Sequence, residues 1–291
     1  MGEFYALVCT AIWSFAVILL QRATETAPPL LLNLFRSSLG LALLLLSIAV
    51  MGSPLFPDVP LHDYLILVLS GIAGIAIADT LFHKALHLAG AGVNAIVSTI
   101  YSPLVVLMAF WMIGERIQAL DFLGMACIMS SLLLVGSLKP RENRTRAQML
   151  AGIAIGMTEM LFLSFSIVLA KPVLNRSPIL WATTIRQLGA VVALIVIVAC
   201  SPQRRQALAL YRPSPTWRFA IPGSVLGSYL SLIFWIAGMK YTQASIAAIL
   251  NQTSTIVILI LAVIFLGESF TPRRAMAAGL AFVGVLLITI L

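Results

Sequence analysis

The chain contains one segment twice. Sliding the sequence by 153 positions lays residues 85–137 on 238–290 without a gap, with Ala91 on Ala244, Ala95-Ile96 on Ala248-Ile249 and Gly114-Glu115 on Gly267-Glu268. A slide of 150 lays Ser14-Phe15 on Ser164-Phe165 and Arg36 on Arg186. Residues 1–138 therefore read as one copy, 148–291 as the second, and 139–147 as a basic linker. Each copy holds five apolar runs. An odd number of membrane crossings forces two copies of one unit into opposite orientations, an arrangement that suits alternation between two faces of a membrane.

The ten runs cover 4–21, 30–51, 64–84, 91–113 and 119–138 in the first copy, and 148–170, 179–200, 217–239, 244–266 and 273–291 in the second. As helices, each is about long enough to cross a hydrocarbon core of roughly 30 Å. The 291 residues are 61% hydrophobic and only 10% charged, against roughly 25% charged in a soluble domain. The runs are apolar on all sides, so they do not read as barrel strands, which alternate. The reading is an all-α membrane protein of ten transmembrane helices in two inverted five-helix repeats. Glu3, where a signal peptide would carry basic residues, marks the first run as a retained span. Small residues at helix-packing spacing (Gly152/Gly156, Gly223/Gly227, Ala275/Gly279) predict close helix contacts. Pro103, inside the fourth span, predicts a kink that Ile256 in the second copy does not repeat.

The net charge of +8 is carried by loops rather than by a basic stripe interleaved with aromatics, so nucleic acid is not an expected partner. The charge is an orientation signal. Four cationic residues, Arg116, Lys171, Arg176 and Lys240, would face the side of the termini, whereas twelve, including Arg144, Arg204, Arg205 and Arg273, would face the other side. The positive-inside rule then puts both termini outside the cytoplasm. Cys9, Cys127 and Cys200 form no CxxC or Cys/His cluster, so neither a disulfide framework nor a metal site is expected. No GxxxxGK[ST], HExxH or GxSxG motif is present, which argues against an ATP-driven pump or an intramembrane hydrolase and predicts no cofactor.

Ionisable side chains inside spans cost about 2.5–3.5 kcal/mol each on insertion scales and commonly mark function. Glu159 sits near the centre of the sixth span. A carboxyl in a low-dielectric bundle can exchange a proton near neutral pH, and the alternative for Glu159 is a structural pairing with an arginine or helix backbone. Arg36 and its mate Arg186 either contact an anionic substrate group, pair with Glu159 or Asp79, or snorkel to an interface. Asp79 and His83, one turn apart late in the third span, read as a gate or helix-end pair. The fourth span carries Asn94, Ser98, Thr99, Tyr101 and Ser102, and the ninth carries Asn251, Gln252, Thr253, Ser254 and Thr255. These two helices read as walls of a central cavity. Trp13, Ser14, Ser164 and Ser166 complete it, with Trp13 either a stacking surface or a packed core residue. Gln187 would join the network of its neighbour Arg186.

The arrangement of Ala-Ser-Ile-Ala-Ala-Ile-Leu (244–250), Leu-Gly-Glu-Ser-Phe-Thr-Pro (266–272), Ile-Gly-Glu-Arg (113–116) and Trp13-Ser14 resembles the drug/metabolite transporter superfamily, in its ten-span EamA-type permeases. The resemblance implies a non-enzymatic secondary transporter, commonly an exporter, of small metabolites such as amino acids or of drug-like compounds. It implies alternating access about a central cavity lined by spans one, four, six and nine, in a plasma membrane of the bacterial inner-membrane kind. It also implies cytoplasmic termini, against the charge bias. Glu159 resembles the proton-coupling carboxylate of the related four-span multidrug proteins, while Cys9 stands at the equivalent place in the first copy. Expected partners are a small-molecule substrate, membrane lipids and protons, with the chain a monomer or homodimer. A lipid-linked sugar flippase of the same superfamily, a channel, and a non-transporting scaffold or sensor stay open as alternatives.

Overall fold

A computed structural model describes residues 2–52, 54–113, 119–136, 145–241, 244–268 and 271–289. Among them, regular structure is helical throughout. The ten apolar runs become α1 (Gly2–Thr24), α2 (Pro29–Val50), α3 (Leu61–Ala89), α4 (Ala91–Met112), α5 (Ala119–Gly136), α6 (Arg146–Arg176), α7 (Ile179–Cys200), α8 (Trp217–Gly238), α9 (Ala244–Leu266) and α10 (Pro272–Thr289). Seven of these, α1 to α4 and α6 to α8, are long and apolar enough over their described residues to cross a membrane. Large apolar side chains such as Leu46, Leu65, Trp111, Leu133, Ile195 and Ile264 are exposed on the outside. Lipid is the solvent that such a surface fits.

Helix starts are set by local chemistry. Pro29 opens α2 and Pro272 opens α10, where a missing N–H costs nothing. Thr145 caps α6 in a reciprocal box: its Oγ1 accepts from the Gln148 N–H at 3.2 Å, and its own N–H donates to Gln148 Oε1 at 2.9 Å. Gly90 (φ +87°) and Gly267 (φ +65°) end α3 and α9 in a backbone conformation that disfavours other residues.

Two helices are longer than their hydropathy indicates. α3 runs to Ala89 and α6 to Arg176, straight through Pro172. Lys84 and Lys171 are therefore helical rather than in loops. The linker expected at 139–147 is already helical at Arg146, and its residues 139–144 lie outside the described residues.

The repeats interleave. α1 packs on α8 and α9 of the other repeat, and α6 packs correspondingly on α3 and α4. α2 lies against α7, and α5 against α10. Exchanging the repeats exchanges these contacts, so the duplication is expressed as a pseudo-two-fold axis. Small residues permit the crossings. A Cβ on Gly71 would lie 2.0 Å from the Arg186 carbonyl oxygen, and one on Gly152 would lie 2.8 Å from Ala89 Cβ. Gly74 and its mate Gly227 repeat one contact, the first against Ser166 and the second against Ala16. Gly279 departs from the expected packing, since nothing lies within 4 Å of a Cβ built there.

Both third helices of the repeats widen into π-helix at matched positions, Ile72–Ala78 and Val225–Leu230. The slide of 153 positions carries one onto the other. Such widening often marks functional sites. In α4 the irregularity is a 3-10 turn at Ser98–Ile100. It falls one turn before Pro103, whose missing N–H leaves the Thr99 carbonyl without its helical donor.

Candidate functional site

The first π segment delivers Asp79 to the protein interior. Because α3 continues to Ala89, Asp79 and His83 lie within the helix and not at its end, which corrects the helix-end reading. The Arg36 guanidinium, from α2, donates to the Asp79 carboxylate in an ion pair. Arg36 is buried rather than snorkelled. His83 is fully buried, and its Nδ1–H donates to the Asp79 carbonyl oxygen rather than to the carboxylate. A carbonyl only accepts, so this contact leaves Nε2 of the neutral ring as an acceptor, and that atom has no partner.

The second repeat supplies the opposite wall. Glu159, from α6, is buried within electrostatic reach of both Asp79 and Arg36, and its Oε2 has no hydrogen-bond partner. Arg186, from α7, donates to Ser166 Oγ at 3.0 Å and lies within electrostatic reach of Asp79 and Tyr101. The Nε atoms of Arg36 and Arg186 are both buried and unpartnered. The ionisable group thus sits between α2, α3, α6 and α7. Of the expected cavity walls, α6 contributes Glu159 to it and α4 brings Tyr101 within electrostatic reach of Arg186.

A polar frame holds the group. Asn33 Nδ2 donates to the Ile75 carbonyl at 2.8 Å and to Thr80 Oγ1 at 2.9 Å. It thereby satisfies backbone that the π segment leaves irregular. Ser166 Oγ donates to the Ser70 carbonyl at 2.7 Å, and Gln187 Nε2 to the Ser37 carbonyl at 3.0 Å, so both cross between repeats. Asn33 escapes notice in the sequence, although it lies one turn before Arg36 on the same face.

The remaining candidates are placed differently. Trp13 packs on Phe82 with its ring tilted and centroids 5.4 Å apart, against an apolar cluster. Ser14 donates to the Thr10 carbonyl at 2.7 Å, and Ser98 to the Asn94 carbonyl at 2.9 Å. Their hydroxyls are satisfied within their own helices, which explains how apolar spans tolerate them. Thr255 Oγ1 donates across the repeat boundary to the Ala95 carbonyl at 3.3 Å. The side chains of Asn251 and Gln252 lie outside the described residues.

The two-fold mates of the two carboxylates are neutral. Cys9 replaces Glu159 and meets Ser231, while Leu232 replaces Asp79. The arginine is duplicated, as Arg36 and Arg186, whereas neither carboxylate is, so the repeats share the buried cation and differ in the anions.

The repeated Gly-Glu pair acquires a role that its sequence does not reveal. Glu268, following α9, reaches the start of α4 in the other repeat, where Cβ atoms on Gly90 and Gly92 would approach its carboxylate to 2.7 and 2.6 Å. Arg274 Nη1 donates to its Oε2 at 2.8 Å. A carboxylate at a helix N-terminus opposes the positive end of the helix dipole. The corresponding Gly114-Glu115 lies outside the described residues.

A model of the EamA-like transporter family matches residues 1–137 and 150–290, and the chain belongs to that family. It is a multi-pass membrane protein of a transporter family whose members are permeases. No curated protein matches it significantly. A solved crystal structure is similar to it over 99% of this chain and 96% of that one, with a TM-score of 0.70 at 17% identity. That likeness speaks for the fold alone.

Proposed function

We propose that the protein is a secondary transporter that exports small metabolites, such as amino acids or drug-like compounds, by rocking its two repeats about the buried charged group. One observation carries the reading: Arg36 and Asp79 from one repeat meet Glu159 and Arg186 from the other in a buried seam, with hydrogen-bonding atoms left unsatisfied. Unsatisfied buried polar atoms are costly. A substrate or proton that binds there recovers that cost, and rocking exposes the group to one face and then the other.

Protons are the proposed coupling ion and Glu159 their carrier. Asp79 is committed to Arg36, whereas Glu159 has a free oxygen. Glu159→Gln should abolish uptake driven by a pH gradient in proteoliposomes while counter-flow of substrate at equal pH persists. Undiminished proton-driven uptake by this variant would remove Glu159 from the mechanism. The substrate class is open to a thermal-shift screen of the purified protein against a metabolite library at two pH values, since a ligand specific to the folded state raises stability by mass action.

A further inference from the structure

The two loops that join the second and third helices of each repeat are equivalent by the duplication but opposite in character. In the first repeat, residues 51–60 carry no cation, and the Leu55 carbonyl accepts the Trp181 Nε1 hydrogen at 3.0 Å. Val59 and Tyr64 join Trp181 in an apolar cluster that fills the space beside α7. In the second repeat, residues 201–216 carry Arg204, Arg205 and Arg212, and Arg204–Leu210 form a short helix. This helix lies across the ends of α2 and α7 and leaves an open groove of about 610 Å³.

The groove has two chemically distinct parts. Leu34, Ile195, Val198 and Ala199 form an apolar wall. Ile195 is half exposed and continues into the exposed apolar face of Val192 and Val196. At the rim stand the exposed Arg204 and Arg205. Tyr211 donates to Ser38 Oγ at 3.0 Å and closes the polar end.

We infer that this groove holds one anionic phospholipid, its phosphate on Arg204 and Arg205 and an acyl chain along Leu34, Ile195 and Val198. Charge complementarity fixes the occupant. A neutral hydrophobe leaves two adjacent cations unused, and a free phosphate leaves the apolar wall in water. The loop also belongs to the more basic side of the protein, which the positive-inside rule assigns to the cytoplasm. Juxtamembrane arginines there face a leaflet enriched in anionic lipid. The site lies apart from the buried charged group and does not depend on transport.

The test is native mass spectrometry of the full chain in detergent, titrated separately with phosphatidylglycerol and phosphatidylcholine of matched acyl chains. One phosphatidylglycerol should bind in preference to phosphatidylcholine. Arg204→Ala with Arg205→Ala should weaken it about thirtyfold, each juxtamembrane cation being worth about fivefold. Arg204→Lys with Arg205→Lys, which keeps the charge, should retain most of the affinity and controls for folding. Ala199→Trp should abolish binding by filling the wall while leaving the arginines in place. Equal binding of the two lipids, or phosphatidylglycerol binding unchanged in the double alanine variant, overturns the proposal.

Discussion

Asp79→Leu installs in the first repeat the residue that the second repeat already has at Leu232. It also strips the carboxylate from Arg36, whose side chain is 4% exposed and has an unpartnered Nε. Breaking a buried pair by removing one member costs about 3–5 kcal/mol, because the surviving charge stays desolvated. Glu159 lies within electrostatic reach of the same arginine, so it can take part of the load, and we expect about 3 kcal/mol for Asp79→Leu alone. Adding Glu159→Gln removes that substitute and should raise the loss toward about 5 kcal/mol. Arg36→Met with Asp79→Leu removes both charges at similar volume and should recover most of the stability, since buried ion pairs replaced together by apolar residues are often neutral. Thermal unfolding of the four proteins in one detergent, at a pH where both carboxylates of the wild type can ionise, measures the cycle. A drop of several degrees for Asp79→Leu, largely reversed in the double variant, is the expected outcome. If Arg36→Met/Asp79→Leu unfolds no later than Asp79→Leu, the pair does not account for the stability of this seam.

Three further outcomes follow from the geometry. Gly71→Ala should destabilise by about 3 kcal/mol or more, because its Cβ meets backbone at 2.0 Å and α3 must move off α7; Gly279→Ala, with open space around it, should be neutral or stabilising by up to about 1 kcal/mol in the same melt. Glu268→Gln should cost about 3 kcal/mol, since it takes from Arg274 a buried carboxylate partner, and the loss should shrink when Arg274→Met is added. A reporter that works only in the cytoplasm should be inactive when fused to the C-terminus, as the loop charge bias requires; activity there refutes the orientation.

Much of the architecture is legible along the chain because a membrane leaves few solutions. Backbone groups cannot stay unpaired in hydrocarbon, so long apolar runs must be helices. The slide that joins Ala91 to Ala244 also joins the two π segments, so symmetry in sequence marks symmetry in backbone. Arg36, Asp79, Glu159 and Arg186 stand out for the same reason: an ionisable residue in a span is expensive wherever it points. Helix ends read less well. α6 passes hydropathy's limit at 170 and continues to Arg176, whose guanidinium pairs with Asp63 of the other repeat at 2.6 Å. A partner that far along the chain leaves no local pattern.

The sequence by itself determined that the protein is a duplicated helical bundle in a membrane, and which few charged residues lie inside it. Both follow from the cost of polar groups in lipid, which every residue registers on its own. Only the tertiary structure decided that the repeats interleave, with the first helix of each against the third and fourth of the other. It alone also decided that Asp79 is paired while Glu159 keeps a free oxygen, and that Glu268 reaches across to the start of α4. These depend on which helices share a face, and contacts between residues more than a hundred positions apart are set by packing and not by the spacing along the chain.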